Sequence, residues 1–220
     1  MIQKNTLDFL KELQKNNNKV WFDANKKKYE TARASFILSV EEMIAAIKAI
    51  DPEIENLTAK DCIFRINRDV RFSKNKSPYK NNMAAYFNRA GKKGTGAGYY
   101  MHIEPGNSFA AAGVWMPEKE NLSKIRQEVD YNFDEWKKII NNSVFKKQFE
   151  KGMDKTNILV RPPKGYEEEN PAIDFLKLKS FVASKPFSDA ELMSKTFISD
   201  LKKTFKAVKP LVDFINRSLD

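Results

Sequence analysis

Two residues central to metal and nucleophilic chemistry are nearly absent: among 220 residues there is one cysteine, Cys62, and one histidine, His102. A single cysteine excludes an internal disulfide framework and a cysteine-based zinc cluster. A single histidine excludes a multi-histidine metal site, and no calcium-loop spacing of carboxylates occurs. Carboxylate metal sites remain open to the sequence, but no metal and no cofactor is expected. No apolar run approaches the roughly 20 residues of a membrane span, so no membrane partner is expected. The first residues, MIQKNTLDFLKELQKNNN, lack the long apolar core of a secretion signal. The expected setting is cytoplasmic. Neither a GxSxG elbow nor an HExxH motif is present, and Gly91, Gly94, Gly96 and Gly98 do not build a phosphate loop. The run GKKGTG fails the GxxxxGK[ST] pattern, and no βαβ context surrounds it. The segment NRAGKKGTGAG is expected to be a mobile loop beside the basic region.

Against these absences stand 16 phenylalanines and a 41% hydrophobic content, enough to specify a packed core. The formal net charge is +10, which points toward anionic partners. The excess is local. Residues 61–93 hold nine Lys or Arg against two acids, whereas residues 41–55 hold five acids and one lysine.

Periodicity separates helical ends from an extended middle. Leu7, Leu10 and Leu13 share one face of a first helix, capped by Thr6 and ended by the asparagines at 16–18. Tyr29, Phe36, Val40, Met43 and Ile47 mark a longer helix, capped by Asp23. Leu122, Ile125, Val129, Phe133, Trp136 and Ile140 form a third stripe. Ser188 and Glu191 have capping-box spacing before a final helix, in which Pro210 is expected to cause a kink or a break. Alternation predicts strands at about 62–72, 98–104, 109–116, 157–161 and 179–184, with a hairpin turn at Pro105-Gly106-Asn107. This order predicts an α+β fold: a mainly antiparallel central sheet, with helices from the N- and C-terminal regions packed against it. No repeat or linker is visible, and one domain spanning 1–220 is expected.

The stretch RINRDVRFSKNKSPYKNN, residues 65–82, is the clearest candidate site. Arginine offers a rigid fork of donors suited to phosphate or carboxylate. Arg65 and Arg71 share a strand face with Asn67 and Asp69, and Asp69 is positioned to orient an arginine. Ser73, Lys74, Lys76, Tyr79 and Lys80 surround the following turn, where backbone amides can complete an anion nest. Arg68 alternates onto the apolar face with Phe64, Ile66, Val70 and Phe72. A buried unpaired guanidinium is costly, so either the strand bulges here or Arg68 meets an acid or a ligand. Arg161 and Lys164, around the diproline of RPPKG, are candidates to complete the basic pocket. His102 shares a face with Tyr100 and Glu104 and is the one candidate for proton transfer near neutral pH. Trp21 and Phe22 are expected to be interior anchors.

The segments WFDANKKKYE (21–30), FRINRDVRFSKNKSPYKNN (64–82), GYYMHIEPGNSFAAAGVWMP (98–117) and LVRPPKGY (159–166) resemble the DUF2461 family of bacterial and fungal proteins. The resemblance covers nearly the whole chain. It implies a single-domain α+β protein and supplies no mechanism. Where the family pattern often reads RDxRFSKDKSPYK, Asn75 replaces the acid, so no acidic role is carried to that position.

The residues thus suggest a pocket for a phosphorylated or carboxylated small molecule. Two alternatives remain: a nucleic-acid-binding surface using the basic 65–93 region, and a protein-interaction module whose basic loops receive an acidic partner.

Overall fold

A computed structural model describes residues 1–220. The chain is α+β, with a four-stranded antiparallel sheet and helices at both ends. The strands are β1 (Met83–Phe87), β2 (Gly98–Ile103), β3 (Ser108–Val114) and β4 (Phe181–Phe187), and they pair in chain order. The helices are α1 (Lys4–Lys15), α2 (Lys19–Ala24), α3 (Lys26–Lys48), α4 (Ala59–Cys62), α5 (Lys119–Tyr131), α6 (Phe133–Asn141), α7 (Ser143–Gln148), α8 (Ile173–Leu176), α9 (Asp189–Met193) and α10 (Phe197–Arg217). No helix is long and apolar enough to cross a membrane.

The residues group into two compact units, each discontinuous in sequence. The first comprises 1–93, 100–110 and 186–203, and the second 94–99, 111–185 and 204–220. In the first unit α1 packs on α3. Leu7, Leu10 and Leu13 of α1 and Phe36, Val40, Met43 and Ile47 of α3 are all fully buried. Each such side chain contributes about 1.5–3 kcal/mol by leaving water. Two expected caps are displaced. Gln3 precedes α1, and Thr6 lies buried inside the helix, donating from its hydroxyl to the Ala32 carbonyl at 3.3 Å. Asn25 separates α2 from α3, and Asp23 pairs with Lys19 instead. The Ser188–Glu191 capping box of α9 forms as expected.

In the second unit the expected stripe is split at Asn132 between α5 and α6, and Ile125, Val129 and Trp136 are fully buried. Trp136 lies against Phe175, Phe181 and Phe214 with ring centroids 5.4–5.8 Å apart. Helix α10 runs through Pro210 without a break.

Of the expected strands, three form, at 98–103, 108–114 and 181–187. Pro186 is tolerated because β4 is an edge strand. The other two are corrected. Residues 62–72 make only isolated bridges, Ile63 with Ala85 and Asn67 with Tyr79. Their ladder with 78–85 is irregular because Pro78 has no N–H to give, although its carbonyl accepts from the Arg68 N–H at 2.9 Å. Residues 157–161 likewise make one bridge, Ile158 with Leu178, before the diproline. Strand β1, in the MAAYF segment, was not anticipated.

Candidate functional site

The irregular ladder preserves alternation over a short span. Ile66 is buried and Phe64 and Arg68 are half-buried, while Arg65, Asn67 and Asp69 are exposed. Beyond Arg68 the chain leaves the ladder, and Phe72 ends up 96% exposed. The expected apolar face 64–72 therefore stops at Val70.

Arg68 is the turning point. One terminal N–H donates to the Ser77 carbonyl at 3.0 Å, and another to the Ser73 hydroxyl at 3.2 Å. No carboxylate pairs with it, contrary to the ion pair that its position on the apolar face suggested. The remaining guanidinium donors have no protein partner.

Arg68 and Lys80 line a polar cleft of about 220 Å³ within the first unit. Tyr79 and Ser77 contribute to its wall, and Glu104 faces it from the end of β2. The Lys80 ammonium lies 5.5 Å from the Phe64 ring centroid. Burial first, then the nearby charge of Arg65, moves its pKa below the ordinary lysine value.

Asn17 holds this wall from far away in sequence. Its Nδ2 donates to the Tyr79 carbonyl at 2.9 Å, and its Oδ1 accepts from the Tyr79 N–H at 3.1 Å. A side-chain amide thus stands in for a pairing strand. The same Nδ2 also donates to Asn81 Oδ1 at 2.8 Å. The Tyr79 ring stacks on Phe22 with centroids 3.9 Å apart. Phe22 and Trp21 are half-buried and not interior anchors: α2 is a short helix whose Phe22 stacks on Tyr79 and whose Trp21 lies against Phe9, with ring centroids 6.1 Å apart.

Of the sequence candidates, Arg68, Tyr79 and Lys80 come together. Ser73 supports Arg68 from behind. Arg71 is 76% exposed and held by Asp69 through two side-chain bonds of 3.0 and 2.7 Å. Asp69 thus orients an arginine away from the cleft lining. Lys74 is exposed, and Lys76 donates to the Val70 carbonyl at 3.0 Å. Arg65 is exposed, and Arg161 and Lys164 are exposed residues of the second unit. The sequence reading missed Asn17, Asn81 and Glu104 as parts of the cleft. The asparagine runs 16–18 and 81–82 were visible, but their partners lie more than sixty residues away.

His102 belongs to a linked row on β2. The Tyr100 hydroxyl lies 3.0 Å from Nδ1, and Nε2 lies 3.2 Å from Glu104 Oε2. An ionised carboxylate only accepts, so Nε2 carries the proton and Nδ1 accepts from Tyr100. The imidazole stacks on Phe109 at 4.7 Å. Burial lowers its pKa below the ordinary histidine value, against the opposing pull of Glu104. Burial also pushes the Tyr100 phenol up to about 12. Cys62 is buried with its thiol raised to about 12, and is no nucleophile at neutral pH. The glycine-rich segment is tied down at its start. Gly91 has φ +62° and packs against the Asp61 carbonyl, and Lys92 donates to the Lys60 carbonyl at 2.5 Å.

Fold and site together define an α+β protein with a small, polar, cation-bearing cleft in its first unit. The chain belongs to the family described as "Conserved hypothetical protein (DUF2461)", whose model matches residues 5–214. No curated protein and no solved structure matches it.

Proposed function

We propose that this protein binds a small phosphorylated or carboxylated molecule in the cleft bearing Arg68 and Lys80. The observation that carries the reading is the half-buried guanidinium of Arg68, fixed by two neutral acceptors and paired with no carboxylate. Removing that charge from water is costly unless an anion compensates it. Lys80, partly desolvated on the same cleft, has the same need. The volume, about 220 Å³, falls below the roughly 300–1,000 Å³ of pockets for drug-sized ligands, which favours a short metabolite over a nucleotide. A cytoplasmic setting belongs to the same proposal.

The test is calorimetric titration of the wild-type protein and Arg68→Ala with inorganic phosphate, short phosphomonoesters and short carboxylates. Saturable binding that weakens about ten- to hundred-fold in the variant is expected, equivalent to about 1.5–3 kcal/mol for a charge-assisted bond. Equal affinities in the two proteins overturn the reading.

One observation favours nucleic acid as a second reading. Phe72 is almost wholly exposed, with the Arg71 guanidinium 5.9 Å from its ring centroid. Lys74 and Lys76 share its loop. An aromatic face among cations suits base stacking with phosphate neutralisation. Submicromolar binding of single strands at physiological salt, lost in Phe72→Ala, would make this the preferred function.

A further inference from the structure

Arg68, Lys80 and Glu104 line one cleft, yet none is in ion-pair contact with another. The cations are held by a carbonyl, a hydroxyl and an aromatic face. Glu104 is held separately, by its own strand and turn. Its Oε2 accepts from His102 Nε2 at 3.2 Å and from Asn107 Nδ2 at 3.0 Å. Its backbone N–H donates to the Ser108 hydroxyl at 2.9 Å, and that hydroxyl returns a bond to the Glu104 carbonyl at 2.8 Å. Both side-chain bonds end on Oε2, so Oε1 has no protein partner. His102, stacked on Phe109 and anchored by Tyr100, fixes the carboxylate without delivering a positive charge to it.

A simple anion entering this cleft is attracted by two cations and repelled by a carboxylate. A ligand that places a donor beside its anionic group turns the repulsion into a charge-assisted hydrogen bond. We infer that the cleft takes a bifunctional ligand, with its anionic group at Arg68 and Lys80 and a neighbouring hydroxyl or ammonium donating to Glu104 Oε1. The inference rests on the anion-binding reading above and makes it specific. His102 is a positioning residue in this arrangement, acting through Glu104. The cleft is small, about 220 Å³, so the two groups of the ligand are a short distance apart.

The experiment compares three near-isosteric probes on the wild-type protein: ethyl phosphate, 2-hydroxyethyl phosphate and 2-aminoethyl phosphate. A parallel series uses propanoate, 3-hydroxypropanoate and 3-aminopropanoate. At least one donor-bearing probe is expected to bind about tenfold more tightly than its donor-free counterpart, and the preferred one tells hydroxyl from ammonium. In Glu104→Gln the preference should collapse to within about threefold, while ethyl phosphate binds as well or better, because the repulsion is gone. In His102→Phe the preference should shrink while the affinity for ethyl phosphate is kept; a merely structural role would weaken all probes alike. Equal binding of the three probes in whichever series binds overturns the inference and leaves the anion reading standing. No binding in either series overturns both. The wild-type comparison decides the matter even where a variant folds poorly.

Discussion

The Nε2 atom of His102 lies 3.2 Å from Oε2 of Glu104, two residues along the same strand, with the imidazole 12% and the carboxylate 21% exposed. The two rows of atoms on an extended chain are ordinarily spaced too widely for neighbouring side chains to bond, at about 6.6–7 Å. Here Glu104 stands just past the end of β2, at the hairpin turn, and its carboxylate meets the ring edge of the imidazole at Nε2. The only histidine of the chain is thereby hydrogen-bonded to a carboxylate residue that lines the cleft.

That relationship has a pH signature. Burial lowers the folded imidazole's pKa below its ordinary 6.5, and Glu104 offsets only part of this. The unfolded chain therefore binds a proton that the folded one refuses. This contribution to stability is complete above about pH 6.5 and declines as pH falls below it, by at most about 1.4 kcal/mol per pH unit. Unfolding of wild type and His102→Gln by urea at about pH 7.5 and 5.5 should show the gap between them closing, or inverting, at the lower pH. A constant gap would contradict the burial argument.

Two arginines three residues apart should behave oppositely. Arg68→Ala weakens anion binding as described above and also loosens residues 73–77, because it releases the Ser77 carbonyl and the Ser73 hydroxyl. Hydrogen exchange should rise at those amides. Arg71→Ala should alter affinity less than about twofold, since Arg71 is exposed and engaged by Asp69. A large loss in Arg71→Ala would mean that the loop folds over the ligand.

Asn17→Ala tests the side-chain amide that closes the Tyr79 wall. It leaves the Tyr79 N–H and carbonyl unpaired in a residue 6% exposed. A loss of about 1–3 kcal/mol is expected in chemical unfolding, along with weaker anion binding. Asn17→Asp keeps an acceptor for the N–H but sets a carboxylate oxygen against the Tyr79 carbonyl and Asn81 Oδ1, so it should cost at least as much as Asn17→Ala.

Gly113 in β3 has φ +122°, and a Cβ placed there would lie 1.9 Å from the Phe181 carbonyl oxygen of β4. No side chain is accommodated without moving backbone. Gly113→Ala should cost about 3 kcal/mol or more, read as a lower urea midpoint. A change of less than about 1 kcal/mol would show that the two strands separate there easily.

Local chemistry made much of the fold legible. The helical stripes of 7–13, 36–47 and 125–136 describe faces that any chain in water buries, and the Pro-Gly-Asn turn at 105–107 marks the β2–β3 hairpin, although Asp189 also accepts from its Gly106 N–H at 3.0 Å. The anomaly at Arg68 was also readable, because a cation on an apolar face demands a partner. What met that demand was not. Alternation cannot say whether residues 63–68 form a regular strand or, with Pro78 opposite, two isolated bridges. It cannot place Asn17 beside Tyr79, 62 residues on, or bring Glu104 to the wall that Arg68 and Lys80 share. Nor does composition distinguish Arg68, turned inward, from Arg71, turned out to Asp69. Periodicity fixes which face of an element avoids water, a property of each segment alone. Which polar groups then meet depends on how distant segments pack, and only the tertiary structure decides that.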